Sequence, residues 1–216
     1  MSKQSLYKKY ADLGRISIWG EELNTGKRPR LAFGFRDGMP RAIVYTGEQG
    51  TNGVITFGAD ALTFGSFLET LKQVVDGEPG TKFSVDSLLP ANEQGPEKLL
   101  AVLHVGKTKE GVVYLSVISE GKPKLVFTLK PSPYHRYHDG SKNQIPDNVV
   151  SCYMGNALYK YLYNMVSQVT VDYMVEEYTY GPREASTIVG YGSPTETKAK
   201  EPAKGAILEE LDDLGL

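Results

Sequence analysis

A nine-residue segment of this chain occurs twice. Arg28-Pro29-Arg30-Leu31-Ala32-Phe33-Gly34-Phe35-Arg36 is followed ninety-four residues later by Lys122-Pro123-Lys124-Leu125-Val126-Phe127-Thr128-Leu129-Lys130, with identity or same-character replacement at all nine positions. In a strand, successive side chains point to opposite faces. Leu31, Phe33 and Phe35 then share one face, as do Leu125, Phe127 and Leu129, and that face belongs in a core. The other face carries Arg30, Ala32, Gly34 and Arg36 in the first copy, and Lys124, Val126, Thr128 and Lys130 in the second. Cations at the ends of a small, flat middle suit a polyanion lying across a sheet, because the backbone can approach closely while charge meets phosphate. A solvated edge strand charged against aggregation carries the same signature, and two matching copies count against that explanation more than one does.

The pattern around each copy predicts strands followed by one helix. Ile16 to Trp19 alternates as a strand, the first basic strand follows, Asp37-Gly38 reverses the chain, and Ala42 to Tyr45 and Val54 to Phe57 read as two more strands. Asp60 is placed to cap a helix that Gly77 ends, with Leu62, Phe64, Phe67, Leu68, Leu71 and Val75 at near-helical spacing. Residues 77–97, rich in Gly, Pro, Asn and Glu, read as the connection between halves. Strands over Leu99 to Val105, Val112 to Ile118 and the second basic segment come next. A second helix starts near Pro146-Asp147 and keeps Val150, Met154, Leu158, Tyr161, Leu162, Met165 and Val169 on one stripe. The expected fold is α+β: two antiparallel-sheet-plus-helix units, about residues 15–77 and 98–176, packed as a pseudo-twofold pair in one domain over 1–190.

Charge is unevenly placed. The chain total is −2, yet residues 191–216 hold three lysines against six acids, and residues 1–46 hold nine Lys/Arg against four Asp/Glu. From Tyr191 the composition predicts a disordered linker that delivers Ile207, Leu208, Glu209, Glu210, Leu211, Asp212, Asp213, Leu214 and Leu216, acids interleaved with apolar residues suited to a groove on a partner. No apolar run approaches the roughly 18 residues of a membrane span, and the first residues lack the apolar segment of a secretory signal, so a cytoplasmic protein is expected. Cys152 has no second cysteine to pair with.

No catalytic set stands out. Gly47 to Gly53 lacks the lysine of a phosphate-binding loop, and no nucleophile elbow occurs. His135, His138 and Asp139, with His104 recruited from a strand, are too loosely spaced for a zinc site. Tyr134, His135, Arg136 and Tyr137 read better as stacking and phosphate-contacting groups, or else as a structural loop packed on the second helix. Trp19 shares a face with Ser17 and is expected outside; Tyr45 shares parity with Ile43 and is expected inside.

Strand-rich units ending in a helix and arranged as a duplicate resemble the Whirly proteins and the related transcriptional positive coactivator. With the linker and acidic, apolar tip, the whole chain resembles a bacteriophage-type single-stranded-DNA-binding protein. The resemblance implies a non-enzymatic protein of DNA replication, recombination and repair, needing no cofactor and binding single-stranded DNA with little sequence preference. Its interface would comprise Arg28, Arg30, Arg36, Arg41, Lys122, Lys124 and Lys130 on phosphates, with Trp19, Tyr134, His135, Arg136 and Tyr137 around the bases. The tail would recruit a polymerase, helicase or primase, and a homo-oligomer is compatible with it. The rival reading is a structural or transcription-associated interaction module whose basic strands are solvated edges. A phosphoesterase using His135, His138 and Asp139 is a third.

Overall fold

A computed structural model describes residues 16–36, 38–50, 53–91 and 95–180 of the chain, without the side chains of 173 and 175–180. Its order is β1 (Ser17–Trp19), β2 (Arg30–Arg36), β3 (Met39–Tyr45), β4 (Val54–Gly58), α1 (Ala61–Asp76), β5 (Lys82–Leu89), β6 (Lys98–Lys107), β7 (Val113–Ile118), β8 (Leu125–Thr128) and α2 (Asp147–Tyr180). The strands form two four-stranded antiparallel meanders, β1-β2-β3-β4 and β5-β6-β7-β8, each followed by one helix. This is the α+β arrangement expected from the sequence.

Three details differ from expectation. Residues 77–97 are not merely a connection, because Lys82–Leu89 forms β5, the first strand of the second sheet. Its alternation of exposed Lys82, Ser84 and Asp86 with half-buried Phe83 and Val85 is a strand pattern hidden between turn formers. The duplicated segment also does not fall at equivalent places: its first copy is the interior strand β2, its second the edge strand β8. In the second copy, moreover, only Leu125–Thr128 is strand. Pro123 and Pro131 bracket it, and proline cannot donate to a ladder. The core face of both copies is as expected, since Leu31, Phe33, Phe35, Leu125, Phe127 and Leu129 are all buried.

The helices explain how two sheets share one core. Asp60 caps α1 by accepting hydrogen bonds from the Thr63 N–H (2.8 Å) and Thr63 Oγ1 (2.6 Å). Phe64, Phe67, Leu68, Leu71, Val74 and Val75 are buried, whereas Leu62, expected on that stripe, is 85% exposed because it lies in the first turn beyond the packed face. Rather than covering only the sheet it follows, α1 packs on β3 of the first sheet and on β5 and β6 of the second. Phe64 meets Phe33 edge-on at 6.5 Å. The end of α1 is held by Lys107, a buried lysine whose Nζ donates to the carbonyls of Val75 (2.8 Å) and Gly77 (2.6 Å). Those are among the carbonyls a helix leaves unpaired, at the end where a cation is favoured.

The second helix buries Val150, Leu158, Leu162, Val166 and Val169, while Tyr161, assigned by its spacing to the same stripe, is 63% exposed. At residue 161 the near-helical spacing drifts off the packed face, which Leu162 occupies instead. Gly155 is the close-contact point: a Cβ there would lie 2.5 Å from Val75 Cγ2 of α1. Ser151 Oγ accepts the N–H of Val113 at 2.9 Å, and Tyr159 donates to Glu69 at 2.7 Å.

Candidate functional site

The register of the first sheet decides which side chains share its outer face. A two-residue connection between β2 and β3, with Gly38 at φ +74°, pairs Arg36 with Met39. Every later pair is then fixed: Gly34 with Arg41, Ala32 with Ile43, Arg30 with Tyr45. On one side β1 adds Ser17 opposite Ala32 and Trp19 opposite Arg30; on the other β4 adds Thr56 opposite Ile43 and Gly58 opposite Arg41. Leu31, Phe33, Ala42, Val44, Ile55 and Phe57 point the other way, into the core.

The outer face is therefore built in rows. One row runs Trp19, Arg30, Tyr45, Val54. Trp19 is 55% and Tyr45 40% exposed. Between them the Arg30 guanidinium lies 5.9 Å from the Trp19 ring centre and 4.7 Å from that of Tyr45, a cation flanked by two π faces. Beside this row lies a low floor of Ser17, Ala32, Ile43 and Thr56, then Gly34, Arg41 and Gly58, then Arg36 and Met39. Arg41 lies across the strand, its Nη1 2.8 Å from where a Cβ on Gly58 would stand. Its Nε is buried with no hydrogen-bond partner among the described residues. Among the described strand residues this face carries three arginines and no carboxylate.

Tyr45, expected inside, is thus part of the exposed face. Its parity with Ile43 is right, but both belong to the outer side, and the signal was available. Counting back through the Asp37-Gly38 turn places Tyr45 opposite Arg30.

The second sheet presents a different outer face. Lys82, Gly106, Tyr114 and Thr128 form one row, Ser84, His104, Ser116 and Val126 the next, with Asp86, Val102 and Ile118 beyond. Tyr114 lies over Gly106, where a Cβ would fall 2.5 Å from its hydroxyl. Burial, assisted by Lys124 and Lys82 and opposed by Asp86, holds the His104 pKa below the usual histidine value.

The remaining cations have separate tasks. Lys122 Nζ donates to the Val54 carbonyl at 2.6 Å, tying the β7–β8 turn to the first sheet. Lys130 lies 3.5 Å from Glu21, with both side chains largely exposed. Arg28 Nε donates to the Gly20 carbonyl at 3.2 Å, while Lys124 is exposed beside β8. Trp19, Arg30, Arg36 and Arg41 are brought together; Lys122, Lys124 and Lys130 do not join them on the first sheet's outer face.

Tyr134, His135, Arg136 and Tyr137 lie in the connection from β8 to α2 and are all exposed, Tyr134 by 90%. His135, Arg136 and Tyr137, with Pro131, Ser132 and Gln144, line a shallow cavity of 240 Å³ above the start of α2. Asp139 organises the turn beyond them by accepting from the N–H groups of Ser141 (2.8 Å) and Asn143 (2.9 Å) and from Asn143 Nδ2 (3.1 Å). These bonds, those from Asn143 foremost, lower its pKa. A carboxylate committed to its own turn is a poor partner for catalysis with His135 and His138. Among the described residues no group of three His, Cys, Asp or Glu is arranged to hold a metal ion, and no helix is long and apolar enough to cross a membrane. The expected partner-binding residues Ile207 to Leu216 lie outside the described residues. In comparisons with known proteins, no family model, curated protein or solved structure matches this chain.

Proposed function

We propose that the outer face of the first sheet binds single-stranded nucleic acid, DNA foremost, with little sequence preference, and that the protein serves DNA replication, recombination or repair without being an enzyme. The single observation that carries this reading is the row Trp19, Arg30, Tyr45 beside a flat floor that holds Arg36 and Arg41 and, among the described strand residues, no carboxylate. Exposed rings offer bases a π face at about 1–3 kcal/mol each, and every base has such a face, so stacking is sequence-tolerant. The arginines supply phosphate contacts beside the exposed rings. Tyr134, His135, Arg136 and Tyr137 form a second, looser set that a long strand could reach. By its sequence, the carboxyl-terminal run of acids and leucines would dock replication proteins.

Fluorescence anisotropy of a labelled oligothymidine, compared with a duplex of equal length at two salt concentrations, tests the reading. Tight binding to the single strand is expected, with log affinity falling by about 2 per unit of log salt if three arginines each engage a phosphate. An RNA oligonucleotide of the same length reports the sugar preference. Affinity indifferent to salt, or no preference for the single strand, would reject the proposal.

A further inference from the structure

The second sheet ends in an edge strand whose chemistry is complementary to itself. The edge strands of the two sheets are β1, β4, β5 and β8, and β5 is the longest of them at eight residues, against three, five and four. Long edges present unpaired backbone groups and call for a partner or protection. Among the described residues no strand pairs with the outer side of β5.

Which backbone groups face outward follows from one hydrogen bond. The Lys107 N–H donates to the Thr81 carbonyl at 2.8 Å, so Thr81 points toward β6. Alternation along an antiparallel ladder then directs Phe83 and Val85 toward β6, opposite Val105 and Leu103, and leaves the N–H and C=O of Lys82, Ser84 and Asp86 on the open edge. The side chains of those three residues all project from the sheet's outer face and are exposed. Lys82 and Asp86 carry opposite charges four residues apart, a separation of roughly 13 Å along a strand, too far for them to pair within one chain.

We propose that β5 pairs antiparallel with β5 of a second copy of this chain, about a twofold axis at Ser84. The outward-facing backbone groups then form the hydrogen-bonded pairs. Ser84 stands opposite Ser84, and Lys82 of each copy stands opposite Asp86 of the other. On the inner side, Phe83 meets Val85 of the other copy, covering two half-buried side chains at the rim of the core. Moving the axis to Phe83 or Val85 would break both charge pairs, so charge complementarity selects the register. The contact is isologous and closes at two copies, and it joins the two second sheets into one of eight strands. The axis residue does not lie on the first sheet, so the proposal stands or falls independently of nucleic-acid binding.

Sedimentation velocity of the full chain over a wide concentration range, without nucleic acid, tests it, with circular dichroism confirming that each variant is folded. The chain is expected to dimerise. Lys82→Asp and Asp86→Lys each turn two attractive cross-strand pairs into repulsive ones and raise the dissociation constant about tenfold or more. The double variant Lys82→Asp/Asp86→Lys restores both pairs and returns the constant to near the wild-type value. A monomeric wild-type chain, or a dimer indifferent to the single reversals, would overturn the proposal. Single variants that weaken a dimer the double variant does not rescue would overturn the register and with it the assignment.

Discussion

Replacing Lys107 by methionine keeps an unbranched apolar stem of similar length and removes only the ammonium. In the wild-type chain that group gives two hydrogen bonds, to Val75 O at 2.8 Å and Gly77 O at 2.6 Å, from a side chain only 8% exposed. A hydrogen bond from a charged donor contributes about 1.5–3 kcal/mol, and a cation at a helix end about 0.3–1 kcal/mol more. Against this stands the cost of keeping the ammonium out of water, several kcal/mol for a buried ion. Methionine removes that cost but leaves two carbonyls at the end of α1 short of a donor, in a helix that packs on both sheets. A net loss of about 2–4 kcal/mol is expected, read by urea unfolding as a lower midpoint at unchanged slope, and as a fall in Tm of about 5–15 °C. A loss under about 1 kcal/mol, or a gain in stability, would refute the reasoning, because burial of the charge would then outweigh its hydrogen bonds.

Further outcomes can be measured on the same chain. Gly155→Ala places a methyl 2.5 Å from Val75 Cγ2; in a double-mutant cycle with Val75→Ala, the pair should be more stable than the sum of the single variants by about 1–3 kcal/mol, and additivity would show that the helices do not meet there. Asp60→Ala removes the cap on α1 and should cost about 1 kcal/mol in chemical unfolding. Hydrogen bonds from Thr63 lower the Asp60 pKa from 3.8. Its stabilisation is therefore complete above the ordinary aspartate value and is lost as pH falls through the depressed folded value. Relative to Asp60→Asn, a cap that does not titrate, the wild type should lose stability only below about pH 4. Arg30→Lys should keep the salt dependence of oligothymidine binding but weaken affinity, since charge survives while the planar stack does not; Arg30→Met should also lower the slope by about 0.7.

How much of this was legible in the sequence follows from where the information resides. The bounds of α1 were readable because both signals are local: the Asp60 side chain accepts the Thr63 N–H three residues on, and Gly77 directly follows the last helical residue. Core positions of the duplicated segment were readable because alternation is a local property. The equivalence of its two copies was not, because position within a sheet depends on how many strands precede each copy, and β5 was concealed among glycines and prolines. Tyr45, expected inside, falls on the outer face: parity alone names two faces without saying which is buried, and only the register set by the Asp37-Gly38 turn places it opposite Arg30. Lys107 gave no signal: a lysine at a strand's end looks solvated until α1 is folded against it. Lys122 and Lys130, equivalent in sequence to Arg28 and Arg36, are engaged by Val54 and Glu21, partners that only the assembled sheets bring near.

Trp19 is the only tryptophan in the chain and stands in the row on which the functional proposal rests. Its intrinsic emission, followed while unlabelled oligothymidine is titrated into the full-length protein, is therefore the most direct measurement. If bases stack on the first sheet's outer face, emission is quenched saturably, the quenching reverses as salt is added, and Arg30→Met shifts the curve to higher oligonucleotide concentration. Emission that stays constant while a labelled strand demonstrably binds, or no binding at all, would contradict the assignment of this face.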